Sequence, residues 1–197
     1  MSAPPTPANP LFADHFLADH FLIAMPALAD PNFARGVTLL CQHDKDGAMG
    51  LTINRRSDFV LGEIFRQMGI ESQVPELAAQ PVLLGGPVQP DHGFVLHDDP
   101  REWDSTLRFG NGLAITTSRD VLEAMARGDG PARTLVVLGF AGWAAGQLEA
   151  ELIENAWLTG PVDSAVIFDL PLEARWRAAA DAIGVDLMRL SDAVGHA

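Results

Sequence analysis

Cys41 and His43 are the one pair in this chain whose types and spacing match a catalytic nucleophile and its base. Residues two apart on a β-strand project from the same face, so the thiol and the imidazole could interact and favour the thiolate. Val37 and Leu39 fall on that same face, and free cysteine is among the most buried residue types. The neighbouring residues therefore favour Cys41 as a small core residue, with a reactive thiol as the alternative.

A second polar group surrounds a segment with the pattern of a short strand, Gly93–His97. Its members are types that bind hard or borderline metals, namely Asp91, His92, His97, Asp98 and Asp99. The odd offset between His92 and His97 sends them to opposite faces of a strand, and the same holds for His15 and His20 in a short tandem repeat. The spacing favours solvated turns, and we predict neither a metal site nor a cofactor.

Glycine-bearing turns are the third candidate. Glycine lets the backbone approach a ligand closely, while arginine, amide and aromatic side chains supply an anion contact, hydrogen bonds and a stacking face. The same glycines could be the bulges that curl a sheet, with Trp143 in the core, and both interpretations can hold at once. We predict a small-molecule crevice here, with Arg55 as its anion contact. The predicted ligand-binding residues are Asn54, Arg55, Gly85, Gly86, Pro87, Trp143, Gln147 and Glu149.

Strands and helices must position these residues, and they alternate along the chain without a regular strand–helix–strand rhythm. Apolar runs predict strands at Phe21–Met25, Val37–His43, Met49–Asn54, Pro81–Leu84, Gly93–His97, Leu113–Thr116, Thr134–Phe140 and Ser164–Leu170. An Asp-Gly pair, Asp46-Gly47, predicts a tight hairpin. Helical periodicity and capping residues predict helices at Asp58–Met68, Ser118–Gly128, Gln147–Leu158 and Pro171–Ile183.

Interleaved hairpins and crossover helices predict an α+β (mixed α/β) fold with a mixed sheet rather than a doubly wound parallel one. A chain of 197 residues fits one domain, which we place at residues 13–197. Residues 1–12 form a Pro-rich tail that we expect to be disordered.

Charge and composition limit the classes of function that the chain can have. A formal net charge of −13 repels phosphate backbones, and the arginines are scattered apart from Arg55-Arg56, so direct nucleic-acid binding is disfavoured. The single cysteine excludes an internal disulfide and fits a reducing cytosol. The chain lacks a long apolar run and a basic N-terminal signal, so we expect a cytoplasmic protein with no membrane segment.

Familiar catalytic signatures are missing from the sequence. The sole lysine, Lys45, is followed by Asp46, which excludes a Walker A loop. A dinucleotide fingerprint, a Gly-x-Ser-x-Gly elbow and a His-Glu-x-x-His helix are also missing. These absences remove the commonest motif-based interpretations without excluding catalysis.

Nine segments match one family pattern in order and spacing. They are H-F-L-I-A-M-P at 20–26, F-A-R-G-V-T-L-L-C-Q-H at 33–43, G-A-M-G-L-T-I-N-R at 47–55, L-G-G-P-V at 84–88, G-F-V-L-H at 93–97, L-G-F-A-G-W-A-A-G-Q-L-E-A-E at 138–151, N-A-W-L at 155–158, F-D-L-P at 168–171 and a terminal G-H-A. From about residue 20 onward, the chain resembles the AlgH/YqgE family of bacterial proteins. The resemblance implies a large bifurcated mixed sheet, curled into a pseudo-barrel with helices packed outside. It also implies a family whose members are labelled as transcriptional regulators and to which no catalytic reaction is firmly assigned. The chain departs from the family in Arg56, where proline is frequent, and in Phe140, where tyrosine is usual.

Three functions stay open at this point. The leading hypothesis is a cytosolic regulator that acts through a small ligand or a protein partner. The second is an unrecognised enzyme with a crevice near Asn54, Arg55 and Trp143, to which Cys41 is a further candidate contributor. The third is a transcriptional regulator that binds DNA directly, which the acidic charge and the lack of a clear helix-turn-helix disfavour.

Overall fold

The computed structural model describes residues 17–194, so the predicted tail and His15 lie outside the described residues. The described chain contains ten strands and seven helices. The strands are β1 His20–Ala24, β2 Val37–Asp44, β3 Gly47–Thr52, β4 Arg56–Val60, β5 Pro81–Leu84, β6 Val88–His97, β7 Thr106–Arg108, β8 Ala114–Thr116, β9 Thr134–Ala144 and β10 Trp157–Pro161. The helices are α1 Leu61–Gln67, α2 Pro75–Ala78, α3 Arg119–Arg127, α4 Gln147–Ile153, α5 Ser164–Phe168, α6 Leu172–Asp181 and α7 Leu187–Val194.

One strand, β9, joins the two arms of the sheet. The continuous path runs β10-β1-β2-β3-β9-β6-β8-β7, and its neighbours are all antiparallel. β4 pairs with β5, which runs parallel to β9 and branches from the path. In the first half of β9, Val137 lies opposite both Phe94 of β6 and Leu83 of β5, while the second half pairs with β3. The mixed α/β fold with a bifurcated, curled sheet is therefore confirmed.

Close backbone contacts at three glycines allow the sheet to split. A Cβ at Gly85 would lie 2.3 Å from the Gly139 carbonyl oxygen, and one at Gly86 would lie 2.2 Å from the Phe140 carbonyl carbon. Gly139 has a φ of +69° and would bring a Cβ to 2.5 Å from the Gly86 oxygen. No side chain fits such contacts, so glycine lets the segment after β5 cross β9. Gly85 and Gly86 thus have a structural role of the kind that the sequence left open for them beside ligand binding.

The apolar residues form three clusters around the curled sheet. The largest contains fully buried strand residues such as Leu39 and Leu96, against which α5 and α6 pack. The second joins Phe65 of α1 and Val121 of α3 to the β5–β6 arm. The third joins Leu148 of α4 to the ends of β9 and β10. Each group of helices therefore covers its own part of the sheet, which agrees with helices packed outside it.

The predicted strand Ser164–Leu170 is wrong, because this segment contains helix α5. The Asp163 carboxylate caps the helix by accepting a hydrogen bond from the Ala165 amide at 2.8 Å. Val166 and Ile167 are buried, as expected of an apolar run. So short a run carries no periodicity that separates a buried strand from a buried helix, and the Asp163 cap is the signal that decides between them.

Two predicted helices have wrong boundaries. The helix predicted at Gln147–Leu158 ends at Ile153, and Asn155 adopts a left-handed φ of 56° before edge strand β10 begins. The helix predicted at Asp58–Met68 begins only at Leu61, because the preceding residues form β4. Both missed strands pair with distant parts of the chain, and such pairing has no local sequence signal.

The other predicted elements correspond to observed ones. The hairpin between β2 and β3 is confirmed, with Asp44 opposite Gly47. β6 is longer than predicted and starts at Val88, and the three-residue strand β7 was not predicted. Within residues 17–194, no helix is long and apolar enough to cross a membrane.

The crossing at Gly86 predicts a large loss of stability on substitution. Gly86→Ala should lower the free energy of unfolding by about 3 kcal/mol, because the new Cβ would clash with the Phe140 backbone, which is held in β9. Gly69→Ala is the matched control: its φ is +66° but a Cβ there would meet nothing within 4 Å, so the loss should be about 1 kcal/mol. Urea unfolding followed by tryptophan fluorescence measures both values. Equal losses would contradict the crossing as the cause.

Candidate functional site

Five of the eight predicted ligand-binding residues line two crevices that share the loop 25–36 between β1 and β2. Among the described lining residues, Gly85, Gly86 and Glu149 belong to neither crevice. The first crevice, which we call the arginine crevice, has a volume of about 380 Å³. Its walls are the end of this loop, the β3–β4 connection and α6. The lining residues are Ala34, Arg35, Asn54, Arg55, Arg56, Leu172, Glu173 and Trp176. The structure thus brings Asn54 and Arg55 together and places Trp143 elsewhere.

Asn54 uses both ends of its amide to hold the loop. Its Oδ1 accepts a hydrogen bond from the Val37 amide at 2.9 Å, and its Nδ2 donates to the Arg35 carbonyl oxygen at 2.9 Å. These bonds tie the end of β3 to the start of β2 and fix Arg35, which has a left-handed φ of 56°. Asn54 therefore acts as a positioning residue for this wall of the crevice.

Arg55 and Arg35 supply guanidinium groups to the crevice. The Arg55 Nη2 donates to the Ala34 carbonyl oxygen at 2.9 Å, whereas its buried Nε has no hydrogen-bond partner in the described part of the chain. The Arg35 guanidinium lies 5.7 Å from the centroid of the Trp176 ring, whose Nε1 donates to the Ala24 carbonyl oxygen at 2.9 Å. A buried charged donor without an acceptor is costly, so the position of the Arg55 side chain carries an unmet hydrogen-bonding demand.

Unpaired arginines concentrate at this crevice. Of the twelve arginines in the chain, seven make ion pairs within the described residues. The five without one are Arg35, Arg55, Arg56, Arg127 and Arg175. The first three line the crevice, where Glu173 is the one described carboxylate. The lining therefore carries a net positive charge.

Arg175 adds positive charge behind the crevice. It is only 4% exposed, and its side chain donates to the carbonyl oxygens of Ile53 and Leu170. Burial lowers the pKa of Arg175 to about 10, while the charge of Glu173 acts in the opposite direction. The guanidinium is still protonated at neutral pH. Its hydrogen bond to Ile53, the residue before Asn54, places this charge directly behind the crevice.

The second crevice contains Pro87, Trp143 and Gln147 and has a volume of about 400 Å³. We call it the aromatic crevice, and it lies on the other side of loop 25–36. The Gln147 Oε1 accepts a hydrogen bond from the Ala144 amide at 3.0 Å, and its Nε2 donates to Glu151 at 3.0 Å. Gln147 is therefore bound within the start of α4, beside the buried Trp143 ring.

Glu149 lines neither crevice and binds His43 instead. Its carboxylate lies 2.9 Å from the His43 Nε2, and the Leu17 amide donates to the His43 Nδ1 at 2.9 Å. Because Nδ1 accepts, these partners assign the proton to Nε2 and make it the donor to Glu149. The pair joins β2 to α4, a contact that the sequence did not reveal.

Cys41 lies at a β-bulge, where the register of β2 against β3 shifts between Leu40 and Gln42. The bulge breaks the two-residue alternation on which the pairing with His43 rested. Cys41 is 4% exposed within the largest apolar cluster, whereas His43 contacts α4. Burial, together with the charge of Asp19, raises the pKa of the Cys41 thiol to about 12. The neutral thiol is favoured, which supports the core interpretation.

The residues of the metal hypothesis are separated by the fold. His97 is fully buried, its Nε2 lies 2.9 Å from the Thr116 hydroxyl, and burial lowers its pKa. Asp98 pairs with Arg133, and Asp99 has its own arginine partner. In the part of the chain that the structure describes, histidine, cysteine and carboxylate side chains form no group of three or more that could hold a metal ion.

A third cavity, of about 390 Å³, was not predicted. Apolar side chains such as Phe94, Leu122 and Leu138 form its floor, and Asp91 and His92 lie on its rim. The lining comes from six elements, β4, α1, β6, β8, α3 and β9, so no single stretch of sequence signals it. His92 and Asp91 were noticed as polar residues, but their apolar neighbours are brought to them only by folding.

The chain matches a family model described as AlgH-like over residues 21–188. A UPF0301 protein of Xanthomonas campestris is 59% identical over 198 residues, which cover 100% of each chain. A UPF0301 protein of Stenotrophomonas maltophilia is 59% identical over 193 residues, which cover 98% of this chain and 99% of the relative.

Two solved structures are similar to this one. The solution structure of the AlgH protein from Pseudomonas aeruginosa has 49% sequence identity and a TM-score of 0.76, with 100% of each chain covered. The crystal structure of a protein from Corynebacterium diphtheriae has 20% identity and a TM-score of 0.72, with 90% of this chain and 93% of that one covered. At 20% identity, the second likeness concerns the fold alone.

The buried thiol predicts a loss of stability at alkaline pH. The Cys41 thiol ionises near its ordinary pKa of 9.0 in the unfolded chain and near 12 in the folded one. Between these values the unfolded chain binds fewer protons, so the free energy of unfolding should fall by about 1.4 kcal/mol per pH unit. Cys41→Ala should lack this contribution, and urea unfolding of both proteins from pH 9 to 11 measures the difference. Parallel curves would show that the thiol is not protected by burial.

Proposed function

The chain belongs to the AlgH-like family, and we propose that it is a cytoplasmic ligand-binding protein whose effector is a small anion held in the arginine crevice. On this proposal the protein regulates through that ligand, and through a partner that distinguishes the bound from the free state, without contacting DNA. The observation that carries the proposal is the gathering of unpaired arginines around one cavity.

Guanidinium groups suit this task because their planar, forked donors match carboxylate and phosphate oxygens. Arg55 approaches from the β3–β4 connection and Arg35 from loop 25–36, so an anion between them has donors from two directions. The buried Arg55 Nε has no acceptor among the residues that the structure describes. Leu172 and the Trp176 ring give the same crevice an apolar wall. An anion with a small apolar or planar body fits these features.

The charge of the whole protein favours a small ligand over a nucleic acid. The net charge is −13, so the field at a distance repels a polyanion, whereas a positive crevice attracts a single anionic group at close range. A DNA-binding surface would need basic residues spread over the span of several phosphates. The three arginines instead surround one cavity of about 380 Å³.

Binding is better supported than catalysis in this crevice. An enzyme would need a nucleophile or a proton-transferring group beside the bound anion. Among the described lining residues, Glu173 is the one side chain of that kind, and arginine stays protonated in ordinary conditions. The crevice therefore supplies charge, hydrogen-bond donors and an apolar wall, which are the components of recognition.

Loop 25–36 gives the proposed ligand a route to a partner. The Arg55 side chain already contacts this loop through the Ala34 carbonyl oxygen, and Asn54 holds the Arg35 backbone. An anion that binds Arg35 and Arg55 together would link the loop more firmly to the β3–β4 connection. A partner that contacts the loop would then bind the two states with different affinity, which is the requirement for coupling.

Arg55→Gln tests the proposed site with inorganic phosphate as the probe. Wild-type protein should bind phosphate saturably in calorimetry and shift the indole N–H signal of Trp176, which lines the crevice. The substitution should weaken binding by roughly tenfold or more, because a charge-assisted contact contributes about 1.5–3 kcal/mol.

Arg127→Gln is the matched control, since it removes the same charge from an arginine that makes no ion pair with the described residues and does not line the crevice as described. It should leave phosphate affinity unchanged. Equal weakening by both substitutions would show a general charge effect, and phosphate binding that Arg55→Gln does not alter would contradict the site. Binding of wild-type protein to duplex DNA that weakens steeply with salt would favour a direct DNA-binding regulator instead.

A further inference from the structure

We propose that the aromatic crevice binds a small organic cation of the alkylammonium class. The crevice lies between loop 25–36, the end of β9, α4 and the start of β10, and its volume is about 400 Å³. It shares no lining residue with the arginine crevice, so this inference is independent of the anion site. Three observations carry it: the aromatic wall, the hydrogen bonds that fix the Glu151 carboxylate in that wall, and the lack of basic residues among the described lining residues.

Three aromatic rings meet at the wall of the crevice. The Phe33 ring stacks on Trp143 with ring centroids 6.2 Å apart and meets Trp157 edge-on at 5.5 Å. The two indoles meet edge-on at 6.1 Å. Trp143 and Trp157 are almost fully buried, while Phe33 is partly exposed. The buried indoles therefore hold a rigid wall, and the partly exposed Phe33 ring is the member with surface for a cation beside its π-electrons.

Glu151 fixes this wall and places a carboxylate in it. One carboxylate oxygen, Oε2, accepts hydrogen bonds from both indoles, from Trp143 Nε1 at 2.9 Å and from Trp157 Nε1 at 2.8 Å. The other oxygen accepts from the Gln147 amide at 3.0 Å. All three donors are neutral groups, so the hydrogen bonds hold Glu151 in place and leave its negative charge uncompensated.

The rest of the lining is also acidic. Asp30 and Glu154 line the same crevice as Glu151, and none of the three makes an ion pair with a basic side chain in the described chain. No arginine or lysine is among the described lining residues. Three carboxylates around one cavity repel each other, and a bound cation relieves that repulsion.

The aromatic wall selects an organic cation over a metal ion. Hard metals need several oxygen ligands that converge on one point, and the carboxylates here do not form such a group in residues 17–194. An alkylammonium ion is weakly hydrated and presents methyl or methylene groups to aromatic faces, which is how quaternary ammonium ions are recognised. The combination of rings and carboxylates in a cavity of about 400 Å³ matches that chemistry.

The four tryptophans provide an internal control for a titration with tetramethylammonium chloride. Trp143 and Trp157 line the aromatic crevice, Trp176 lines the arginine crevice, and Trp103 lies beside Arg101 in another part of the fold. In proton–nitrogen NMR spectra the indole signals of Trp143 and Trp157 should shift saturably, and those of Trp103 and Trp176 should not. Potassium chloride at the same concentrations should cause no saturable shift.

Two substitutions with matched controls locate the cation. Glu154→Gln removes an exposed carboxylate that makes no ion pair within residues 17–194 and should weaken binding roughly threefold. Glu76→Gln on α2 should have no effect. Phe33→Leu removes the partly exposed ring and should weaken binding roughly fivefold, whereas Phe59→Leu, outside this crevice, should not. The indole signals also report whether each variant keeps its fold.

Three results would overturn the proposal. Equal shifts of all four indole signals would indicate a general effect of salt. Saturation by potassium with the same affinity would indicate a plain acidic surface, without selection for an organic cation. Unchanged affinity in both Glu154→Gln and Phe33→Leu would place the cation elsewhere. None of these results bears on phosphate binding by Arg55, so the two sites are tested separately.

Discussion

The pairing of β9 with three other strands is the constraint on which the rest of the structure depends. Its first half lies between β5 and β6, its second half pairs with β3, and Gly139 separates the halves with a left-handed φ of 69°. Since one strand serves both arms of the sheet, the two arms diverge and the apolar residues divide into separate clusters. The same strand supplies Val136 and Leu138 to the third cavity and Trp143 to the aromatic crevice. The positions of the cavities thus follow from where β9 changes partners.

Loop 25–36 lies between the two crevices and separates their opposite charges. Phe33 contributes to the acidic aromatic crevice, and Ala34 and Arg35 contribute to the arginine crevice. The loop turns tightly, with the Phe33 and Ala34 amides both bonded to the Asp30 carbonyl oxygen, and Asn54 fixes its end. A short segment therefore separates two cavities of opposite charge. On the two binding proposals, ligands of opposite sign would act on the same loop from its two sides, which would let one ligand affect the affinity for the other.

Local sequence signals predicted the hairpin and most strands, because turn chemistry and apolar runs depend on neighbouring residues. The errors arose where distant segments decide. Residues 157–161 form a strand through their pairing with β1. Cys41 stays with Val37 and Leu39 in one apolar cluster, whereas His43, beyond the bulge in β2, contacts α4 instead. Distant segments also explain why the fold brings only part of the predicted site together. Asn54 and Arg55 are neighbours in sequence and stayed together, whereas Trp143 and Gln147 followed β9 into another crevice.

The arginines show most clearly what the fold adds to the sequence. In the sequence they are scattered, which disfavours an extended basic surface. In the folded protein, Arg101, Arg119 and Arg133 form ion pairs with carboxylates at hydrogen-bonding distance. Such exposed pairs neutralise charge locally and contribute little to stability. Four of the five arginines without an ion pair in the described chain instead line or lie behind one crevice. In a protein with 26 acidic residues, basic groups that stay unpaired at one cavity concentrate the positive potential there. A net charge therefore gives the sign of the distant field, while the pairing of individual side chains decides where an anion can bind.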